Sequence, residues 1–170
     1  MRRVNGFVVG VAACCAAGAS WAADDGATAL KQVQDRAAID ALMWRYVRAL
    51  DTLDAAGYAA VFTEDGTFAG GNAHEHGRAE LSKMIDGLKK GRADREAKGE
   101  KSAPMYHVIT NHTIEFVGPN EARYNSYWMT VFGAAGQEVP ARVAAVGRGI
   151  DTVVRVNGEW LIKSRDVAPK

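Results

Sequence analysis

Beyond Cys15 the chain contains no cysteine, which removes a disulfide, a thiolate nucleophile and a cysteine-based metal site from everything downstream. Stability must then come from a core. An excess of one charge is missing too. The formal net charge is +1, and residues 1–22 carry no charged side chain except Arg2 and Arg3, so without them the balance is −1. Such a balance argues against nucleic acid as a partner. No Gly-x-Ser-x-Gly elbow is present, which disfavours a serine hydrolase, and no phosphate-binding glycine loop, which disfavours a nucleotide cofactor. The longest apolar run, Phe7 to Ala17, is too short to span a bilayer. Repeats, linkers and low-complexity stretches are also lacking.

What is present begins with a secretion signal. Arg2 and Arg3 precede the apolar run, and Ala19-Ser20-Trp21-Ala22 offers small residues where a signal peptidase reads them. The expected division is a cleaved signal over residues 1–22 and one domain over residues 23–170, secreted or periplasmic. Val11-Ala12-Ala13-Cys14 also resembles a lipobox, which would leave a lipid-modified Cys14 as the mature N-terminus. At 48% hydrophobic, the remainder suffices for a core that encloses a cavity.

Ile39, Leu42, Met43, Tyr46, Val47 and Leu50 recur at helical spacing, predicting a helix over residues 28–50 with one buried face. A short second helix follows over residues 54–62. Thr63-Glu64-Asp65-Gly66 reads as a turn, with a brief strand over residues 67–69. A third helix starts near Gly77 with Leu81, Met84, Ile85 and Leu88 as its stripe. The charge-rich stretch of residues 89–104 reads as a solvated helical extension or a lid. From residue 105 the period becomes two, giving strands over residues 106–117, 122–132, 141–156 and 160–167. Asn157-Gly158 predicts a type I′ hairpin, whose two-residue loop would set Asp151 opposite Ser164 and Arg155 opposite Trp160. Helices followed by an antiparallel meander predict an α+β fold, a curved sheet wrapped around the helices.

Within that frame Asp51 closes an amphipathic helix and His107 sits in the middle of an apolar strand. A lone carboxylate and a lone imidazole on elements that bury apolar surface suit an acid–base site. Asp51 can instead cap the second helix, with Thr52 and Asp54 as rivals for that role, and Tyr46 can be a core tyrosine. Strict alternation puts His107, Ile109 and Asn111 on one strand face, and Tyr106, Val108, Ile114 and Phe116 on the other, with His112 also opposite His107. Asp151 either faces the cavity or pairs outward with Arg148 or Lys163. Tyr124, Trp128 and Phe132 share a face, and one of the two faces of their strand lines the pocket. His74-Glu75-His76 has a metal-ligand spacing but sits in an apparent loop without a third ligand, so no metal is expected.

Tyr46-x-x-x-Leu50-Asp51-x-x-Asp54, Val61-Phe62-Thr63-Glu64-Asp65-Gly66-Thr67-Phe68, His107-x-x-x-Asn111, and Asp151 followed by Asn157-Gly158-x-Trp160 and Arg165 resemble the nuclear transport factor 2-like superfamily in its SnoaL-like branch. The resemblance covers residues 30–167. It implies a cone-shaped α+β barrel, three N-terminal helices packed in a curved, mostly antiparallel sheet, with an apolar pocket and a homodimer or homotrimer packed through the sheet. Enzymes of the superfamily include scytalone dehydratase, bile-acid dehydratase, ketosteroid isomerase and polyketide cyclases, all cofactor-free; other members only bind or assemble. The dehydratases pair an Asp at the end of the first helix with a His on the first long strand, positions that match Asp51 and His107, and Tyr46 matches the tyrosine one turn earlier. The pattern departs at Gly149, where a tyrosine is usual; its loss would enlarge the cavity or remove a proton donor.

The expectation is therefore a cofactor-independent lyase, dehydratase or isomerase acting on a small apolar, aromatic or polycyclic molecule. Asp51, His107 and Tyr46 are its catalytic candidates, and Asn111, Asp151, Phe68 and Trp128 its substrate-binding candidates. In it Asp51 would fix the His107 tautomer, and Tyr46 or Asn111 would stabilise an oxyanion. The alternative is a non-catalytic ligand-binding or assembly module with the same pocket.

Overall fold

The computed structural model describes residues 17–135 and 140–169, with side chains from Gly26 onward. Residues 1–16 of the expected signal, Cys14 among them, lie outside the described residues. The chain divides into two units between Asp35 and Arg36. The first is helical in its described part and carries a Lys31–Asp35 ion pair at 2.7 Å. The second unit holds every other element discussed below.

Helix α1 spans Ala17–Thr52, and its Arg36–Thr52 part buries Ile39, Leu42, Met43, Tyr46, Val47 and Leu50, the stripe that the three- and four-residue spacing predicts. Its end is set by Leu53 at φ 55. There the Leu53 N–H donates to the Leu50 carbonyl at 3.2 Å and the Asp54 N–H to the Ala49 carbonyl at 2.8 Å. This is the paired closure of a helix ending in a left-handed residue. A leucine is costly in that conformation, and its burial at 7% exposure offsets the strain. Asp54 then caps α2 (Ala55–Ala60), its Oδ1 accepting the Gly57 N–H at 3.0 Å. Asp51 is thereby released from capping.

Helix α3 (Gly77–Glu96) buries Leu81 and Ile85. It runs well into the charge-rich stretch, which is a solvated helical extension as far as Glu96, and Leu88 of the expected stripe is 48% exposed.

Six strands, β1 (Phe62–Gly70), β2 (Ala73–His76), β3 (Met105–Gly118), β4 (Glu121–Phe132), β5 (Arg142–Val156) and β6 (Glu159–Asp166), form one sheet in the order β2-β1-β6-β5-β4-β3. Only β1 and β6 run parallel. The sheet curls without closing, so the α+β class and the mostly antiparallel curved sheet hold, with β2 and β3 as its edges. Two local readings change. The Thr63–Gly66 stretch, expected as a turn, is an irregular part of β1, and the loop around His74 is the edge strand β2. Gly66 is needed where β1 departs from regular pairing, because a Cβ there would lie 2.8 Å from that of Phe62 and 3.1 Å from the Ile162 carbonyl.

Register decides which side chains face the helices. Asn157 and Gly158 have φ 52 and 88, as a type I′ turn requires, and Arg155 faces Trp160 as predicted. Between Thr152 and Val153 the register slips by one residue, so Asp151 faces Arg165 and Thr152 faces Ser164. A second irregularity lies between Thr110 and Thr113 of β3, with Asn111 at φ 49. It inverts the alternation: His107 pairs with Thr130 and Ile109 with Trp128 before it, Ile114 with Tyr124 and Phe116 with Ala122 after it. All these β4 partners are even-numbered, so Ile114 and Phe116 share the inner face with His107, contrary to strict alternation.

That inner face packs on α1, α2 and α3 around Tyr58, Phe62, Leu81, Ile85, Val153 and Ile162. Tyr46, Tyr58 and Phe62 interlock with ring centroids 5.2 to 6.2 Å apart, within the range of favourable aromatic pairs. Among the described residues no helix is long and apolar enough to cross a membrane.

Candidate acid–base site

The end of α1 aims Asp51 at the start of β3. Its Oδ1 accepts the His107 backbone N–H at 2.9 Å and lies 2.7 Å from the His107 ring Nδ1. The acceptor is a carboxylate oxygen, so Nδ1 carries the hydrogen and Nε2 of a neutral ring has a free lone pair. The two side chains are 12% and 17% exposed, low enough to strengthen the contact and high enough for a ligand to reach the ring.

The ring stands in the wall of a cavity of about 170 Å³ lined by Tyr46 and Leu50 of α1, Phe68 of β1, His107 and Ile109 of β3, Trp128 and Thr130 of β4, Ala145, Arg165 and Val167. A dry cavity of ~150 Å³ accepts benzene, so this one encloses about one ring. Apolar walls with a few convergent polar groups are the ordinary make-up of a ligand pocket.

Arg165 supplies the polar floor. It is 3% exposed, lies with its guanidinium carbon 4.3 Å from the centre of the Tyr46 ring, and pairs with the fully buried Asp151. Burial pushes the Asp151 carboxyl up to about 6, although Arg165 pulls against it. Burial also works against the charge on Arg165, but the Asp151 carboxylate outweighs it and holds the guanidinium charged. Burial raises the Tyr58 hydroxyl well above its usual range.

His107, Tyr46, Phe68 and Trp128 of the candidates therefore meet at one cavity, with Asp51 behind the imidazole. Asn111 and Asp151 do not line it. Asn111 is exposed at the β3 irregularity, beside a separate depression with Asn125, Tyr127 and Arg148, because its left-handed backbone takes it out of the His107 row. Asp151 points inward but beneath the cavity, against Arg165, while Lys163 pairs with Asp65. Sequence reading left Arg165 out of the site, since the unperturbed hairpin register sets it opposite Ile150. Its place among the resemblance motifs was the available signal.

Trp128 takes the space beside Gly149. A Cβ on Gly147 would lie 2.6 Å from the indole, and one on Gly149 3.7 Å from it. The indole N–H is spent on the Arg148 and Val167 carbonyls at 3.1 and 3.0 Å, so Trp128 offers the cavity a fixed apolar surface. His112, expected to point away from His107, lies on the inner face: its ring stacks on Tyr124 at 5.0 Å and its Nε2 is 3.1 Å from Asp40. That second pair borders none of the cavities described and joins β3 to α1. His74 and His76 are exposed on edge strand β2.

The profile of the SnoaL-like domain matches residues 31–166. Solved structures share the architecture. A protein from Novosphingobium aromaticivorans described as a candidate scytalone dehydratase is 27% identical, with 80% of this chain and 84% of that one covered and a TM-score of 0.64. A second protein from that organism, described as NTF2-like with a cystatin-like fold, is 24% identical, with 84% and 86% covered and a TM-score of 0.68. ActVI-ORFA from Streptomyces coelicolor is 22% identical, with 78% and 95% covered and a TM-score of 0.64. No curated protein matches the chain in sequence.

The raised Asp151 value fixes a sign. With a folded value of about 6 against the ordinary 3.8, the native state holds this proton more tightly than the unfolded chain. The contribution of Asp151 to stability is thus fully present below pH 4 and is lost as pH rises toward 6. Urea midpoints measured from pH 4 to 7 for wild type and Asp151→Asn check this: relative to the variant, wild type weakens with rising pH. Parallel curves would count against it.

Proposed function

The chain belongs to the SnoaL-like domain family, and from that premise we propose that it is an acid–base lyase of dehydratase type, or an isomerase, acting without a cofactor on a small carbonyl compound with a one- or two-ring apolar body. The observation that carries this is the Asp51–His107 contact at 2.7 Å with the imidazole in the wall of a ring-sized cavity. His107 Nε2 takes a proton from the carbon next to the carbonyl and returns it, to a leaving hydroxyl in a dehydration or to another carbon in an isomerisation. Asp51 holds the ring in the productive tautomer and balances the imidazolium. Negative charge developing on the carbonyl oxygen is met by Arg165 and the Tyr46 hydroxyl, in a floor whose charge is fixed before substrate arrives. Phe68 and Trp128 sandwich the ring system. The likeness to the protein described as a candidate scytalone dehydratase supports the same class of reaction.

Two further parts of the reading concern where and how the protein works. It is exported through the signal of residues 1–22. It also associates with a second copy through the outer sheet face, where Tyr106, Val108, Tyr127, Val143, Val146 and Ile150 are 40 to 68% exposed on neighbouring strands; grouped exposed apolar side chains of this kind mark association surfaces.

Proton abstraction is read directly by deuterium exchange next to the carbonyl of 2-tetralone in D2O, followed by NMR. Wild type should accelerate it, His107→Gln should lose about 10²- to 10⁴-fold, and Asp51→Asn should fall between. Exchange no faster than buffer in wild type would sink the enzymatic reading and leave the binding module. Intact mass of the protein recovered from a secreting host should begin at Ala23; a lipid adduct on Cys14 or an unprocessed chain would contradict that. Light scattering should give a multiple of the protomer mass that Val146→Glu returns to one protomer, whereas a wild-type monomer would refute the sheet contact.

A further inference from the structure

One rung beyond the His107–Thr130 pair on the inner face, Met105 pairs with Phe132, about 7 Å along the strands at ~3.4 Å per residue. These two residues open onto a second and larger cavity of about 450 Å³, floored by Leu53, Leu88, Met105 and Phe132. Its rim is cationic: Arg92 and Arg95 from the last turns of α3, Lys101 from the following loop and Arg142 from the start of β5, against Glu100 alone of the acidic residues lining it among the described residues. Arg92 is already engaged by Glu96 at 3.1 Å, and Arg142 stacks over the Phe132 ring at 5.1 Å. Arg95 and Lys101 add two further positive charges on the same opening. A chain whose formal net charge is only +1 concentrates four cations around one cavity beside its candidate site.

We infer that this cavity is the tail subsite of the same pocket, and that the substrate carries a carboxylate about two strand residues away from the carbon that His107 addresses. The inference rests on the proposed reaction only for which end of the molecule lies at His107. Arginine matches a carboxylate with two parallel N–H donors, and an arginine stacked on a phenyl ring is held in place for that contact without losing its charge. The apolar floor accommodates the spacer between ring and acid. The smaller cavity then reads the ring body and the larger one the acid, which makes the substrate class an aryl- or cycloalkyl-substituted organic acid with a ketone or hydroxyl near the ring.

Binding rather than turnover tests this. The full chain is titrated with 3-(2-naphthyl)propanoate and with the neutral 3-(2-naphthyl)propanamide, followed by calorimetry at low salt. Wild type should bind the acid about tenfold more tightly than the amide, and the preference should shrink at high salt. Arg95→Gln/Arg142→Gln, both on exposed side chains, should erase the preference while leaving the amide affinity within about twofold. Equal affinities in wild type, or no saturable binding of either probe, overturns the inference. So does a preference that survives the double substitution undiminished, which would place the anion away from these two arginines. His107→Gln separates this result from the enzymatic reading: it removes proton exchange and keeps the acid preference, so each can fail without the other.

Discussion

A buried pair of opposite charges organises this fold. Asp151 and Arg165 face each other across β5 and β6 with almost no exposure, and Tyr46 of α1 lies over the guanidinium. Two charges in a core are costly, and in such a place attraction seldom recovers the full loss of hydration. The upward push on Asp151 says as much. What the pair supplies is a fixed positive centre at the base of a cavity whose other walls are apolar. It holds only because β6 carries one extra residue. Without the slip between Thr152 and Val153, Arg165 would stand opposite Ile150, which is 43% exposed on the other face.

The same lesson explains which parts of the molecule were legible in its sequence. Period and punctuation are local, so the α1 stripe from Ile39 to Leu50, the four long strands and the Asn157-Gly158 turn could be read within a residue or two. Bulges are not periodic, and each one inverts the facing of everything beyond it. Asn111 therefore left the His107 row, Ile114, Phe116 and His112 joined it, and Asp151 exchanged Ser164 for Arg165 as its partner. Asparagine tolerates a positive φ, so Asn111 did carry a trace of its role. The slip in β6 left no such trace.

The position of Asp51 follows from how α1 ends. A helix closed by a left-handed residue normally uses glycine; here Leu53 takes that conformation and buries its side chain, which ties the last turn to the core. Asp54 then serves α2 as its cap, and Asp51, one turn earlier, is left to face β3. Its contact with both the backbone N–H and the ring of His107 fixes the imidazole in two directions. A carboxylate held on one side only would allow the ring to turn about its χ angles, and productive proton transfer tolerates little such freedom.

The indole of Trp128 shows how the cavity is kept small at one end and open at the other. Gly147 gives up its side chain to the ring, whose N–H is tied to two carbonyls, which holds the ring in place. Along the strands toward Met105 and Phe132 the inner face reaches the larger cavity, whose rim carries Arg92, Arg95 and Arg142. Rigidity around His107 and room beyond it are consequences of one packing choice. On the proposed reading, a pocket built this way would discriminate by ring size at His107 and by charge one rung away.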